Sequence, residues 1–281
     1  MMSCKNHPAC QLLYRNKGHI KLRDIYRVCL GKRQGQRIWI VDGARVVQEI
    51  YPAFVMGGND QRYRFNPENE VWIDNRIGIE ELKYTIAHEL IERKLMRERG
   101  WSYDRAHSEG GNEREKRLRL AEMRRVARKE RSTGLVELGE RGEKVSAGRE
   151  GVRVLLTGIY RAYFGKMGGL SVWIVDGSKV RRDLEPNFSF GGHDQKYRFV
   201  PKGEIWLDAA MSVEEAYFVL FHESIERKLM AAGKSYEVSY PSAVAAQLDE
   251  RKRQLELALD HEDGLAPVRY GTRERGVKKA S

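Results

Sequence analysis

Short apolar runs separated by turn-forming residues fill the first hundred positions. IYRVCLG at 25–31, QRIWIV at 36–41 and ARVVQEI at 44–50 read as strands, and Asp42-Gly43 between the last two is a strong hairpin signal. RYRF at 62–65 and EVWID at 70–74 read as two shorter strands. From about Ile79 to Arg99 the period changes: Leu82, Ile86, Ile91 and Leu95 fall at helical spacing. A second helix is expected from near Tyr103 to about Arg131. The pattern predicts an α+β unit, a small antiparallel sheet followed by two helices.

The whole pattern then recurs. Residues 25–96 align with 159–230 at a constant offset of 134, without gaps and with 35 identities in 72 positions. WIVDG at 39–43 returns at 173–177, GGNDQRYRF at 57–65 as GGHDQKYRF at 191–199, and HELIERKLM at 88–96 as HESIERKLM at 222–230. After one deletion, SYD at 102–104 matches SYE at 235–237. The chain is a tandem duplication of a unit of about 110 residues. It divides into a basic N-terminal extension 1–17, repeat one at 18–131, a glycine-rich linker at 132–151, repeat two at 152–264 and a basic tail at 265–281.

Charge changes this picture at three places. The 281 residues carry a formal net charge of +11. Residues 1–33 hold a surplus of seven positive charges, 112–131 a surplus of five and 265–281 a surplus of four, so the rest of the chain is mildly acidic. Basic tracts of this kind attract phosphate backbones, and Arg124, Arg125, Arg128 and Lys129 on the second helix are the residues to watch for nucleic-acid contact. Hydrophobic residues at 41% support a real core, no apolar run reaches the length of a membrane span, and the N-terminus lacks the apolar stretch of a secretory signal. Three cysteines cannot form a disulfide framework, which fits a reducing cytoplasmic interior. Cys4-x-x-His7-x-x-Cys10 offers ligand types without a fourth partner. Trp39, Trp72, Trp173 and Trp206 fall among aliphatic neighbours in strands and read as core.

The chemistry concentrates in TIAHELIERKLM at 85–96. His88 and Glu92 are four apart, project from one helical face, and can chelate one ion. A strand ending in Ile-Asp, a short acidic approach and then TIAHEL is similar to the active-site segment of minimal zincin-like metallopeptidases, the phage and bacterial type that act on regulatory proteins. The resemblance covers about 30 residues of each repeat. It implies zinc as cofactor, a peptide or protein substrate and expression inside a host cell. In that family the motif is H-E-x-x-H, two histidines holding the metal and the glutamate activating water. His88 and His222 match the first ligand and Glu89 and Glu223 the general base. Glu92 and Glu226 stand where the second histidine would be, giving H-E-x-x-E.

A third ligand must come from elsewhere, and the two repeats differ in a way that bears on it. Repeat one has His107 where repeat two has Tyr240; repeat two has His193 where repeat one has Asn59. The expected sets are His88, Glu92 and His107, and His222, Glu226 and His193. Each is two histidines and one carboxylate, the composition of an open zinc site. The competing reading makes His88 and Glu92 a hydrogen-bonded pair, Glu89 and Arg93 an i,i+4 ion pair, and the protein a non-catalytic module that contacts nucleic acid through its basic segments.

Overall fold

The computed structural model describes residues 22, 24–133, 135–138, 152–156 and 158–265. The N-terminal extension, most of the linker, the tail beyond Leu265 and the Cys4–His7–Cys10 group lie outside the described residues. The fold is α+β in two tandem copies, each a four-stranded sheet followed by helices. In the first copy β1 (Tyr26–Arg33) and β2 (Gln36–Val41) form a hairpin. A short helix α1 (Gly43–Arg45) continues as a π-helical turn (Val46–Ile50), and β3 (Gly57–Asn59) and β4 (Glu70–Asp74) complete the sheet in the order β1-β2-β4-β3.

Three local expectations are corrected here. The sheet is mixed, because β2 and β4 run parallel, with Trp39 beside Trp72. The long excursion between them supplies the crossover that a parallel pair requires. Residues 44–50 are helical: the Asp42 side chain accepts from Arg45 N at 3.0 Å and caps a helix where a hairpin was expected. Val46 and Ile50, both buried, are four apart, so the helical period was present in the sequence. Gly43 is required by close approach, since a Cβ there would meet the Asp74 carboxyl at about 2.0 Å. The RYRF segment is a turn, and the glycines before it form the edge strand. Tyr63 N bonds back to Asn59 O at 2.9 Å, and the Tyr63 ring lies where a Cβ on Gly58 would be. The four strand tryptophans sit in the interior, Trp39, Trp72 and Trp206 with no exposure and Trp173 at 5%.

After the sheet come α2 (Leu82–Arg99), a turn α3 (Tyr103–Arg105) running into a π-helical segment (Ala106–Asn112), and the long α4 (Glu113–Thr133). In the region expected as linker, β5 (Leu135–Leu138) forms a strand that pairs antiparallel with β6 (Val152–Leu155) at the start of the second repeat. The second copy repeats the plan: β7 (Tyr160–Met167), β8 (Leu170–Val175), α5 (Gly177–Asp183), β9 (Gly191–His193), β10 (Glu204–Asp208), α6 (Val213–Ala231) and α7 (Tyr236–Gly264).

The copies exchange their last helices. α4 lies on the second sheet: Glu122 accepts from Tyr163 N, Lys129 pairs with Glu204, and Val126 packs with the cluster around Trp173 and Trp206. α7 returns to the first sheet. There Gln254 Oε1 accepts from Cys29 N at 3.0 Å, Glu262 accepts from Ile25 N at 3.2 Å, and His261 stacks on Trp39 with centroids 4.9 Å apart. Equivalent positions also meet: Gly78 bridges to Ser212, its own counterpart 134 residues on. A single apolar cluster crosses this junction, joining Ile40, Ile73, Ile86 and Leu90 to Ile174, Leu207, Val213 and Phe218.

Candidate metal centre

α2 carries His88, Glu89, Glu92 and Arg93, all four of them buried. Arg93 does not pair with Glu89. It holds Asp60, the acid of the GGND turn, with a second contact from Nη2 to Oδ2 at 2.8 Å. Arg227 and Asp194 repeat the clamp at 2.6 Å. Burial raises both aspartates, and the arginines override it and hold them below the usual carboxylate range. The clamp fixes β3 and its turn against the helix, which explains why this Asp and this Arg both persist in the duplication.

The clamp sets Asn59 at the end of β3 beneath the acids. Its Nδ2 donates to Glu89 Oε2 and to Glu92 Oε1, each at 2.9 Å. From the other side the π-helical segment delivers His107. Its Nδ1 lies 3.0 Å from His88 Nε2 and 3.1 Å from Glu92 Oε2, while His88 Nε2 and Glu92 Oε2 are 3.6 Å apart. Ligand atoms of a regular tetrahedral zinc, each about 2.0–2.1 Å from the metal, are separated by about 3.3 Å. The triangle formed by these three atoms has that size. Glu115 Oε2 stands 3.3 Å from His88 Nδ1, where it would hold a proton on Nδ1 and leave Nε2 to a metal. His88, Glu92 and His107 thus meet as expected from sequence. The fit to zinc extends to the outer partners Asn59 and Glu115.

Glu89 is the fourth polar group. Burial is the main influence on it and the nearby Glu92 charge the next; together they push its carboxyl up to about 7, against the bond from Asn59. A pocket of about 370 Å³ opens over the cluster, lined by His88, Glu89, Glu92 and His107, with Met56 and Tyr103 at its walls. The His107 side chain is 40% exposed, and the cluster reaches solvent through it.

The second copy assembles the same parts differently. His193 takes the place of Asn59 and has no exposure; its Nε2 bonds Glu226 Oε1 at 3.1 Å. His222 Nε2 bonds the other oxygen of Glu226 at 3.2 Å. The expected set therefore converges on one carboxylate, but the compact donor grouping is His193, Glu223 and Glu226. Burial opposes ionisation of Glu226, and the two imidazoles override it, bringing its carboxyl down to about 2. Glu223, buried beside that charge, is pushed up to about 7. Tyr240, the counterpart of His107, packs its ring 5.4 Å from that of His222. All four second-copy residues are buried.

Sequence reasoning missed the bend that makes the first site. Glu122 and Gln254 do the same work on opposite sheets and are 132 apart, whereas His107 and Tyr240 are 133 apart. The first copy therefore holds one extra residue between them, and the π-helical segment absorbs it. Gly111 lies at this bend, where a Cβ would stand about 2.4 Å from His88 Nε2. Gly111→Ala is accordingly expected to push the imidazole off its two carboxylates and to weaken zinc binding more than tenfold in a competition titration with a chelating dye. Unchanged affinity would show that the His88 position is not critical.

Of the basic residues singled out in the sequence, Arg124, Arg125 and Arg128 are exposed on α4, while Lys129 is partly buried against Glu204. Arg125 also turns inward, its guanidinium 4.5 Å from the centre of the Tyr163 ring. No helix among the described residues is long and apolar enough to cross a membrane. No family model, curated protein or solved structure matches the chain.

Proposed function

We propose that the chain is a zinc-dependent hydrolase of the zincin-like peptidase type, with its working site in the first copy. The observation that carries this reading is the His88–His107–Glu92 triangle, with sides of 3.0, 3.1 and 3.6 Å, on the wall of an open pocket. Zinc held there would supply Lewis-acid polarisation of a carbonyl and acidify water. The protein's own residues would do the rest. Glu89 is placed to take the proton of the attacking water and to return it to the leaving amine, a role suited to a carboxyl raised towards neutrality. Asn59 holds Glu89 and Glu92 apart as two carboxyls in fixed positions. Val55 and Met56 on the pocket wall lead into the edge strand β3 at Gly57, and Val55 is 68% exposed.

The second copy reads as a closed relic. Its imidazoles satisfy the two oxygens of Glu226, and Tyr240 covers His222. The test is metal content by elemental mass spectrometry on protein purified without chelators. One equivalent of zinc per chain is expected, absent from His88→Ala and from His107→Tyr, which installs the second copy's residue, and retained in His222→Ala. Failure to bind zinc after reconstitution would remove the hydrolase reading.

A further inference from the structure

The outward face of α4 carries a single line of arginines. Arg114, Arg117, Arg124, Arg128 and Arg131 are all exposed. Together with Ala121 they follow the spacing 3, 4, 3, 4, 3, which keeps a row on one side of a helix. Of the other basic residues on the helix, Lys116 is exposed off the row, and three are spent inside the fold: Arg119 on Glu81 and Glu115, Arg125 on the Tyr163 ring and Lys129 on Glu204. The five arginines of the row have no ion-pair partner among the described residues. Of the acidic residues on the helix, only Glu113, at its N-terminus, shares their side. At 1.5 Å per residue the row is about 26 Å long, with a cation every 4.5–6 Å along the axis except where Ala121 interrupts it.

We infer that this arginine row is a binding surface for the phosphodiester backbone of a nucleic acid. An exposed charge row that only kept the protein soluble would be served by lysine or by mixed signs. Here the row is arginine throughout, the side chain whose planar fork matches phosphate oxygens. A protein partner would want an apolar, charge-depleted centre, and the centre of this face is charged, with Leu120 and Met123 to one side of it. A membrane surface would want the apolar face of the helix, and that face is spent on the second sheet. The two arginines predicted from sequence that stay on this surface, Arg124 and Arg128, are joined by Arg114, Arg117 and Arg131, which the sequence reading had not selected. The surface is independent of the metal centre, and binding to it persists without zinc.

The test uses the full chain and fluorescence anisotropy with a labelled 30-base-pair DNA duplex of mixed sequence, and with single-stranded DNA and RNA of the same length, between 50 and 200 mM salt. Five phosphate contacts give a slope of log affinity against log salt of about −4.5 on duplex DNA, made steeper by the basic chain ends. Substituting Arg117, Arg124 and Arg128 together by Gln is expected to flatten that slope by about 2.7 and to weaken binding more than tenfold. Its thermal midpoint is expected to stay at the wild-type value, because none of the three has an ion-pair partner to lose among the described residues. Lys94, Lys228 and Lys252 changed together to Gln remove the same charge from other surfaces, and the wild-type slope is expected. Equal flattening by both triple variants would overturn the inference in favour of net charge alone. So would wild-type slope and affinity in the arginine variant, or the absence of binding to all three nucleic acids at 50 mM salt. Concentration-dependent self-association that only the arginine variant loses, without an effect on nucleic-acid affinity, would assign the row to an acidic protein surface instead.

Discussion

Glu89→Gln is expected to lower the rate of peptide hydrolysis by about 10²–10⁴-fold, the usual contribution of a positioned general base, with zinc content unchanged. The substitution is conservative in shape, and the amide oxygen still accepts the 2.9 Å bond from Asn59 Nδ2. It is also expected to stabilise the metal-free protein. Burial, then the neighbouring Glu92 charge, raises the Glu89 carboxyl to about 7 in the folded chain, above its ordinary 4.5. The folded state thus binds this proton more tightly than the unfolded state does. Its contribution to stability is fully present below pH 4.5 and is lost as the pH rises through 7. Glutamine has no proton to lose. The melting temperature of the metal-free variant should therefore pull ahead of wild type between pH 4.5 and 7 and hold a constant lead above that. The rate is measured on peptides drawn from a degenerate library with wild-type protein, and stability by thermal melts across the pH range. A variant that keeps wild-type turnover would move the base to another residue.

Much of this was readable in the sequence, and the unread parts share a cause. The offset of 134 exposed the duplication, and the His88–Glu92 spacing exposed the helix face that carries the candidate ligands, because both are local regularities. His107 could be paired with that face from the comparison of the two copies alone. Asn59 was visible only as the counterpart of His193, and its bridging of Glu89 and Glu92 depends on the Arg93–Asp60 clamp, a tertiary contact. Glu115 has no signal in the sequence beyond helical charge, since it reaches His88 only after the π-helical segment has turned α4 toward it. The parallel β2–β4 pair escaped notice because alternation along a strand is blind to the direction of its neighbour. Residues 44–50 misled because Asp-Gly serves hairpins and helix caps alike, and only the four-residue spacing of Val46 and Ile50 distinguishes them.

The exchange of helices was the least legible feature, since periodicity shows that a helix has an apolar face but not which sheet that face covers. It carries the largest stability prediction. Ending the chain at Lys234, which removes α7, is expected to unfold the first copy, the one most distant in sequence from the cut. α7 supplies the acceptors for Ile25 N and Cys29 N, and with them the pinning of β1. His261 lies against the rings of Tyr26 and Trp39, with centroids 4.8 and 4.9 Å away, and in ion-pair contact with Glu70. Ala258 closes the cluster of Tyr26, Trp39 and Trp72. Stripping that cover exposes several large side chains, each worth about 1.5–3 kcal/mol when buried. It also leaves Glu70, 3% exposed, with two donors, Tyr26 and Trp72, where it had three groups. Against a stability of about 5–15 kcal/mol for a domain, the loss is decisive. Hydrogen exchange reads it directly: amides of β2, protected in the full chain, should exchange at unfolded rates in the truncated one, and adding a peptide of residues 236–265 should restore their protection. By the same reasoning residues 18–131 alone should give no cooperative melt. A cooperative transition from that fragment, with protected β2 amides, would mean that each copy folds on its own and that α7 adds only a cover.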